Sequence, residues 1–310
     1  MRQMRGFTLI EMVVVMLITA ILFSMGAGFV RIPIQSYIKG VEQAGLIDVS
    51  ARALNNMNED LQKIVPNSIR ILPVTGGSCL EFLPLRLQTF YPGSGQKPPK
   101  ILDDFCKVSP VDSKKGDLDF KKSDDCFVTI DAPHIFLRGA TDDLSDQMIV
   151  EALAVPTDLL YDATLAGVRR PYNGAVDVLP DRSVVMVATQ LAVLDNNALA
   201  NLTQSVYVVP GDQQAVTYAC ENIGVDANGN GTGTLKRYWR YGFNVPQVLP
   251  SAGALSSLLL DHLSTCSFLY SASVNGAPLA SVAQIGVVLE MSLHGETISL
   301  ADAIPVDNRP

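Results

Sequence analysis

The sequence predicts an α+β fold in which one long N-terminal helix, membrane half then amphipathic half, packs on an antiparallel β-sheet C-terminal domain. Three observations predict it. Residues 7–30 form an apolar run with one charged side chain, Glu11, residues 31–65 continue at helical spacing, and the rest of the chain reads as short β-patterned runs. Those runs do not alternate with helices, which argues against a doubly wound parallel sheet.

The apolar run comes first. Residues 7–30 are long enough to cross a bilayer core as a helix, which takes about 20 apolar residues. A lone carboxylate such as Glu11 costs roughly 2.5–3.5 kcal/mol at the bilayer centre and less near an interface, so it calls for a cationic partner. After Arg31, Pro33 is expected to kink or locally open the helix, because it lacks an N–H and crowds the preceding turn. Then Ile34, Ile38, Val41, Leu46, Val49, Ala53, Met57, Leu61 and Ile64 recur mostly at three- and four-residue steps. That spacing predicts an amphipathic helix with one core-facing stripe. Lys39, Glu42, Asp48, Arg52, Asn56 and Glu59 lie on the opposite face. Pro66 biases the residue before it away from helix, so the helix is expected to end at residue 65.

Residues 66–310 suffice for one large or two small globular units. Runs at 68–74, 79–83, 126–130, 148–155, 183–189, 206–209, 215–220, 235–243, 266–273, 283–293 and 297–300 read as strands. Only 255–263 reads as a further, short helix. Residues 91–125 carry Pro92-Gly93-Ser94-Gly95, Pro98-Pro99, Lys114-Lys115-Gly116 and Asp124-Asp125, and read as an exposed loop insertion. The expected architecture is antiparallel sheet laid against the amphipathic half of the helix.

Charge and cysteine usage fit an exported body. The chain has 310 residues and a formal net charge of −8. Residues 1–6 carry Arg2 and Arg5 and no acid, so residues 7–310 hold 21 basic against 31 acidic residues, a net of −10. A nucleic-acid-binding body would instead show a basic footprint. Basic residues before the apolar run, with no acid among them, predict the N-terminus inside and the body outside. In a chain directed outward, the five cysteines favour disulfides over a metal cluster or redox motif. We expect Cys220–Cys266 and Cys106–Cys126, with Cys79 starting a strand as a buried free thiol. Other arrangements of two bonds stay open.

Chemistry is thin beyond the first helix. His134, His262 and His294 are widely spaced and read as ordinary surface or core residues. Nucleophile-elbow, phosphate-loop and zinc-protease motifs are absent, and the chain reads as no enzyme. Asp226-Ala-Asn228-Gly-Asn230-Gly231 matches the first half of a calcium-binding EF-hand loop, but Arg237 stands where the bidentate Glu belongs. Calcium is the one cofactor left open, and a turn between two strands is the expected structure.

The stretch Arg5-Gly6-Phe7-Thr8-Leu9-Ile10-Glu11, opening an unbroken apolar helix, resembles the processing site of type IV prepilins. The resemblance implies that residues 1–6 are a leader cut off by a prepilin peptidase between Gly6 and Phe7. It implies N-methylation of Phe7, and a role for Glu11 in subunit assembly, answering the Phe7 amine on its own chain or a neighbour's. An ordinary signal peptide would place its cut after the apolar region, beside small residues.

A second set of segments follows in order: 55–70 with Glu59-Asp60-Leu61 and Pro66-Asn67-Ser68-Ile69-Arg70; Ala215-Val-Thr-Tyr218-Ala-Cys220; Leu235-Lys-Arg237-Tyr238; Tyr241-Gly242-Phe243; and Cys266-Ser-Phe268-Leu-Tyr270. Together they are similar to the MshO-type large minor pilins of the mannose-sensitive haemagglutinin pilus, to PilW-type minor pilins and to J-type minor pseudopilins. The resemblance implies a subunit at or near a filament tip that helps initiate assembly. Its partners would be the prepilin peptidase, major and other minor pilins, and the inner-membrane assembly platform. The protein would sit in the inner membrane with its body periplasmic, then in the pilus. The alternatives are a minor pseudopilin of type II secretion, or an envelope-anchored adhesin or binding module that never polymerises.

Overall fold

Helix α1 spans Leu9–Leu61. It starts where the carbonyl of Thr8 accepts the first bonds, from Glu11 N at 3.1 Å and Met12 N at 3.3 Å. The computed structural model describes residues 8–91, 124–128, 146–150, 156–163, 168–171, 177–178, 184–191, 204–250, 253–271 and 282–307. Two compact units divide the chain, Met1–Val49 and Ser50–Pro310. The helix passes Pro33 without a break, so the expected local opening does not occur.

The predicted apolar stripe behaves differently in the two units. In the first, Ile34, Ile38, Val41 and Val49 are all exposed. In the second, Ser50, Ala53, Leu54, Met57 and Leu61 are buried. The helix also stops four residues before the expected end at 65. Beyond Leu61 the backbone is recruited by the crossing strand segment: Val65 N donates to Leu83 O and Leu85 N to Lys63 O, each at 2.8 Å. Burial of Ile64 and Val65 accompanies this pairing, so the helix ends through tertiary hydrogen bonds before Pro66 can act.

Among the described residues the strands form three sheets with antiparallel pairing. The largest contains β1 (Arg70–Val74), β2 (Gly77–Phe82), β10 (Val216–Glu221), β11 (Gly233–Trp239), β12 (Leu255–Ser271), β13 (Val282–Leu293) and β14 (Glu296–Asp307). Their order is β1-β2-β10-β11-β12-β13-β14. The second sheet runs β3-β9-β5-β6, with β3 at Leu87–Phe90, β5 at Gln147–Val150, β6 at Arg169–Pro171 and β9 at Ser205–Val209. The third runs β4-β8-β7, with β4 at Asp124–Val128, β7 at Asp177–Val178 and β8 at Val184–Leu191. A five-residue helix, α2 (Thr157–Tyr161), follows β5.

Every residue of β5 and β9 is buried. Such strands are covered on both faces and lose the alternation that marks a half-exposed strand. Tyr91, Tyr161 and Leu83 join them in one hydrophobic cluster. Leu/Met→Ala changes at such positions cost about 2–5 kcal/mol.

Four readings of the sequence change. Residues 255–263 are strand, the first part of β12, and not helix. Leu255, Leu258, Leu259 and Leu263 do sit at helical spacing, but β11 and β13 supply partners on both sides. Register shifts and the positive φ of His262 (55°) break simple alternation, so the side-chain period did not reveal the strand. The proposed insertion at 91–125 narrows: Tyr91 is buried in the core, and Asp124 and Asp125 begin β4, while residues 92–123 lie outside the described residues. The short elements β3, β6, β7 and α2 escaped the sequence reading. Finally, β14 runs to Asp307, well past the expected 297–300.

Candidate functional site

The N-terminal candidate is built on the first turn of α1. Gly6 and Phe7 lie outside the described residues. Thr8 occupies the cap position, and Glu11 lies in the first turn. A carboxylate there faces the positive end of the helix dipole, worth about 0.3–1 kcal/mol. Around it the side chains are apolar and exposed on successive positions, with Leu9, Ile10, Met12, Val13, Val14, Val15, Met16, Leu17 and Ile18 each about half exposed or more. A helix apolar all round belongs in a core or a membrane, not in water. Its few hydroxyls are already satisfied: Thr19 Oγ1 donates to Val15 O and Ser24 Oγ to Ile21 O, both at 2.8 Å. Such back-bonding removes the cost of carrying a hydroxyl into an apolar environment. Among the described residues no helix is long and apolar enough to cross a membrane.

The second candidate lies within the body, and it joins several segments that the sequence set side by side. Asp60, near the end of α1, accepts from Tyr218 OH at 2.7 Å and from Arg237 Nε at 2.6 Å. Arg237 also donates to Gln213 Oε1 at 3.1 Å and lies 5.2 Å over the Trp239 ring. Burial, then the nearby Asp60 carboxylate, pushes the Tyr218 hydroxyl well above its usual range. Tyr218 stacks on Phe82 with ring centres 6.0 Å apart. Cys220 and Cys266 are joined by a disulfide with Cα atoms 6.0 Å apart, tying β10 to β12 across the intervening β11.

A buried ion pair lies on the other face of the same sheet, where Glu81 of β2 stands in register with Thr217 of β10. Arg70 donates through Nε and Nη2 to Glu81 Oε2, and it reaches the carbonyls of Asn244 and Val245. Tyr241 OH donates to Glu81 Oε1 at 2.8 Å and receives the hydroxyl of Thr217 at 2.5 Å. The guanidinium lies 3.5 Å over the Tyr161 ring, whose hydroxyl donates to Ser68 O. Glu81 is fully buried. Burial raises its pKa above the ordinary carboxylate value, and Arg70 opposes the rise. Arg70 and Tyr241 stand in segments the sequence singled out; Glu81 had no such signal, because an acid in a strand reads as solvent-facing. Nearby, Cys79 is a buried free thiol, pushed up to about 12 by burial, Glu221 and Glu81. Its inertness follows, since the thiolate is the reactive form.

The EF-hand-like segment is a turn. Asp226 Oδ1 accepts from Asn228 N and Asn230 N, both at 2.8 Å, and Asn230 Nδ2 reaches Oδ2. These bonds hold the carboxyl below its usual pKa. Asn230 Oδ1 is taken by His294 N at 2.8 Å. Gly229 has φ +79°, and an added Cβ would meet the Gly295 backbone at 2.9 Å. The segment thus packs against the β13–β14 turn. Arg237, at the twelfth position, faces Asp60. Among the described residues no group of three or more His, Cys, Asp or Glu is placed to hold a metal ion. Cys106 and the side chain of Cys126 lie outside the described residues, as does His134.

Residues 1–27 match the prokaryotic N-terminal methylation motif. The motif supports a type IV pilin-like protein. It implies processing by a prepilin peptidase, assembly with other pilins and anchoring through the N-terminus, and it suggests a structural protein. No curated protein and no solved structure matches the chain. The motif and the apolar, exposed start of α1 converge on the same residues.

Proposed function

We propose that the chain is a minor pilin, incorporated at or near the tip of a type IV pilus of the mannose-sensitive haemagglutinin kind and helping to initiate it. The observation that carries this reading is the methylation motif over residues 1–27, with Glu11 in the first turn of an exposed apolar helix that continues into the body. Cleavage after Gly6 creates an amine on Phe7, four residues before Glu11 in the sequence. Methylation keeps that amine cationic. Glu11 answers the Phe7 amine of a neighbouring subunit, which neutralises both groups in an apolar surrounding and fixes the axial register as each subunit leaves the bilayer. The inner-membrane platform and the other major and minor pilins are the partners. The segment similarity of the body, from Glu59-Asp60 to Phe268 and Tyr270, supports the minor-pilin assignment.

Mass spectrometry of the protein recovered from sheared filaments tests the reading. The expected N-terminus is methylated Phe7. An intact Met1, or a cut beyond residue 30, overturns it. Immunogold label confined to filament ends is expected, and label spread along the shaft removes the tip position.

A further inference from the structure

The large sheet ends on a long strand whose outer edge is prepared for a partner over half its length. Strand β14 pairs with β13 alone and is the terminal strand of its sheet among the described residues. The two-residue turn, His294 (φ 53°) and Gly295 (φ 78°), closes on the pair Leu293 and Glu296. In a hairpin of this kind the closing pair is hydrogen-bonded, and the pattern alternates from there. Residues 296, 298, 300, 302, 304 and 306 therefore bond inward to β13. Thr297, Ser299, Ala301, Ala303 and Pro305 present their backbone outward. Two details agree with this phase. Pro305, which has no N–H, sits where a strand tolerates proline, with its nitrogen at the open edge. Ala303 N is capped by the Asp302 carboxylate at 2.8 Å.

The two halves of the edge differ accordingly. From Asp302 onward it is closed by that cap and by the proline, two ordinary devices against strand addition. From Thr297 to Ala301 the outward side chains are small and exposed, and neither device is present. On the other face of this open half, Ile298 and Leu300 are only partly buried, and Glu296 and exposed Asp302 flank them on the same face.

We propose that the open half of β14, residues 296–302, captures an extended strand of a neighbouring subunit whose inward side chains read basic, apolar, apolar, basic. The inference rests on the filament reading for the identity of the donor. Charge selects against a second copy: antiparallel self-pairing centred on Ser299 would set Glu296 of each copy beside Asp302 of the other, and like charges directly opposite are destabilising. Backbone bonds at Thr297, Ser299 and Ala301 supply affinity, and the alternating side chains supply selection.

The test uses the full-length chain in detergent and a fluorescent peptide, Lys-Thr-Val-Thr-Val-Thr-Lys, against its counterpart with Glu at both ends. Anisotropy is expected to show binding of the lysine peptide and about tenfold or weaker binding of the glutamate peptide. Ser299→Pro removes one outward N–H without touching the β13 ladder, and should weaken the lysine peptide about tenfold. Should that variant fold poorly by circular dichroism, the double change Glu296→Lys with Asp302→Lys serves instead and should reverse the preference. No binding of the lysine peptide, equal binding of both peptides, or unchanged preference in the charge-reversed variant overturns the proposal. Because strand capture is read in detergent, its failure leaves the filament reading standing, and an unprocessed N-terminus leaves this result unaffected.

Discussion

The first unit and the body treat the same helix in opposite ways. Through Val49 the apolar stripe of α1 lies exposed apart from partly buried Leu46, and from Ser50 it is buried. Charge follows the same division. Glu11 lies among exposed apolar side chains, whereas Asp60 and Glu81 are each bonded to an arginine and a tyrosine hydroxyl. The body answers its charges from within one chain. The N-terminal half carries apolar surface and a carboxylate whose natural complements are lipid, other helices and an amine. The comparison teaches which mutations should harm folding and which should harm assembly.

The sharpest way to break the comparison is Glu11→Ala. Processing and membrane insertion should be retained, and the melting temperature of the body unchanged. For the filament pair proposed above, losing one member costs about 3–5 kcal/mol, so quantitative blotting should find the variant more than about a hundredfold depleted from sheared filaments. Wild-type incorporation would show that Glu11 merely reaches an interface.

Arg70→Ala should do the reverse, lowering body stability by about 3–5 kcal/mol, because Glu81 would stay buried without its cation. Chemical denaturation followed by tryptophan fluorescence measures it; a loss below about 1 kcal/mol, as for a surface pair, would mean the pair is dispensable. Cys266→Ser comes next. The bond it removes has a sequence separation of 46, and the chain-entropy model gives about 3–4 kcal/mol for such a loop. A variant as stable as the reduced wild type, and less stable than the oxidised one, is the expected result.

A smaller effect concerns pH. Burial raises the Glu81 pKa in the folded state above its ordinary 4.5. A group raised in this way contributes stability that is fully present below the unfolded value and is lost as pH rises through the folded one. Stability relative to Glu81→Gln should therefore grow as pH falls from neutrality toward 4.5, opposite to the usual trend for a paired carboxylate. Parallel melting curves across that window decide it; a difference that shrinks on acidification would mean Arg70 outweighs burial. The smallest effect expected is that of calcium. With the Asp226 carboxylate already bonded to its own turn, millimolar Ca²⁺ should leave the melting temperature unmoved, and a clear rise would restore the loop as a cation site.

Much of the frame was legible in local chemistry. Unbroken hydrophobicity around one carboxylate announces a helix meant for an apolar surrounding, since nothing else hides such a run. Strands such as β9, β10 and β13 were readable because β-branched and aromatic residues cluster in short runs. Tertiary structure decided the rest. Whether 255–263 became helix or strand depended on β11 and β13, which lie outside any local window. The end of α1 was set by backbone bonds to Leu83 and Leu85, not by Pro66. Glu81 took its meaning from Arg70 and Tyr241, 11 and 160 residues away, because a carboxylate's cost is fixed by its surroundings and not by its neighbours in sequence. The stripe along α1 was uniform in the sequence; only folding separated the part this chain covers from the part left for others.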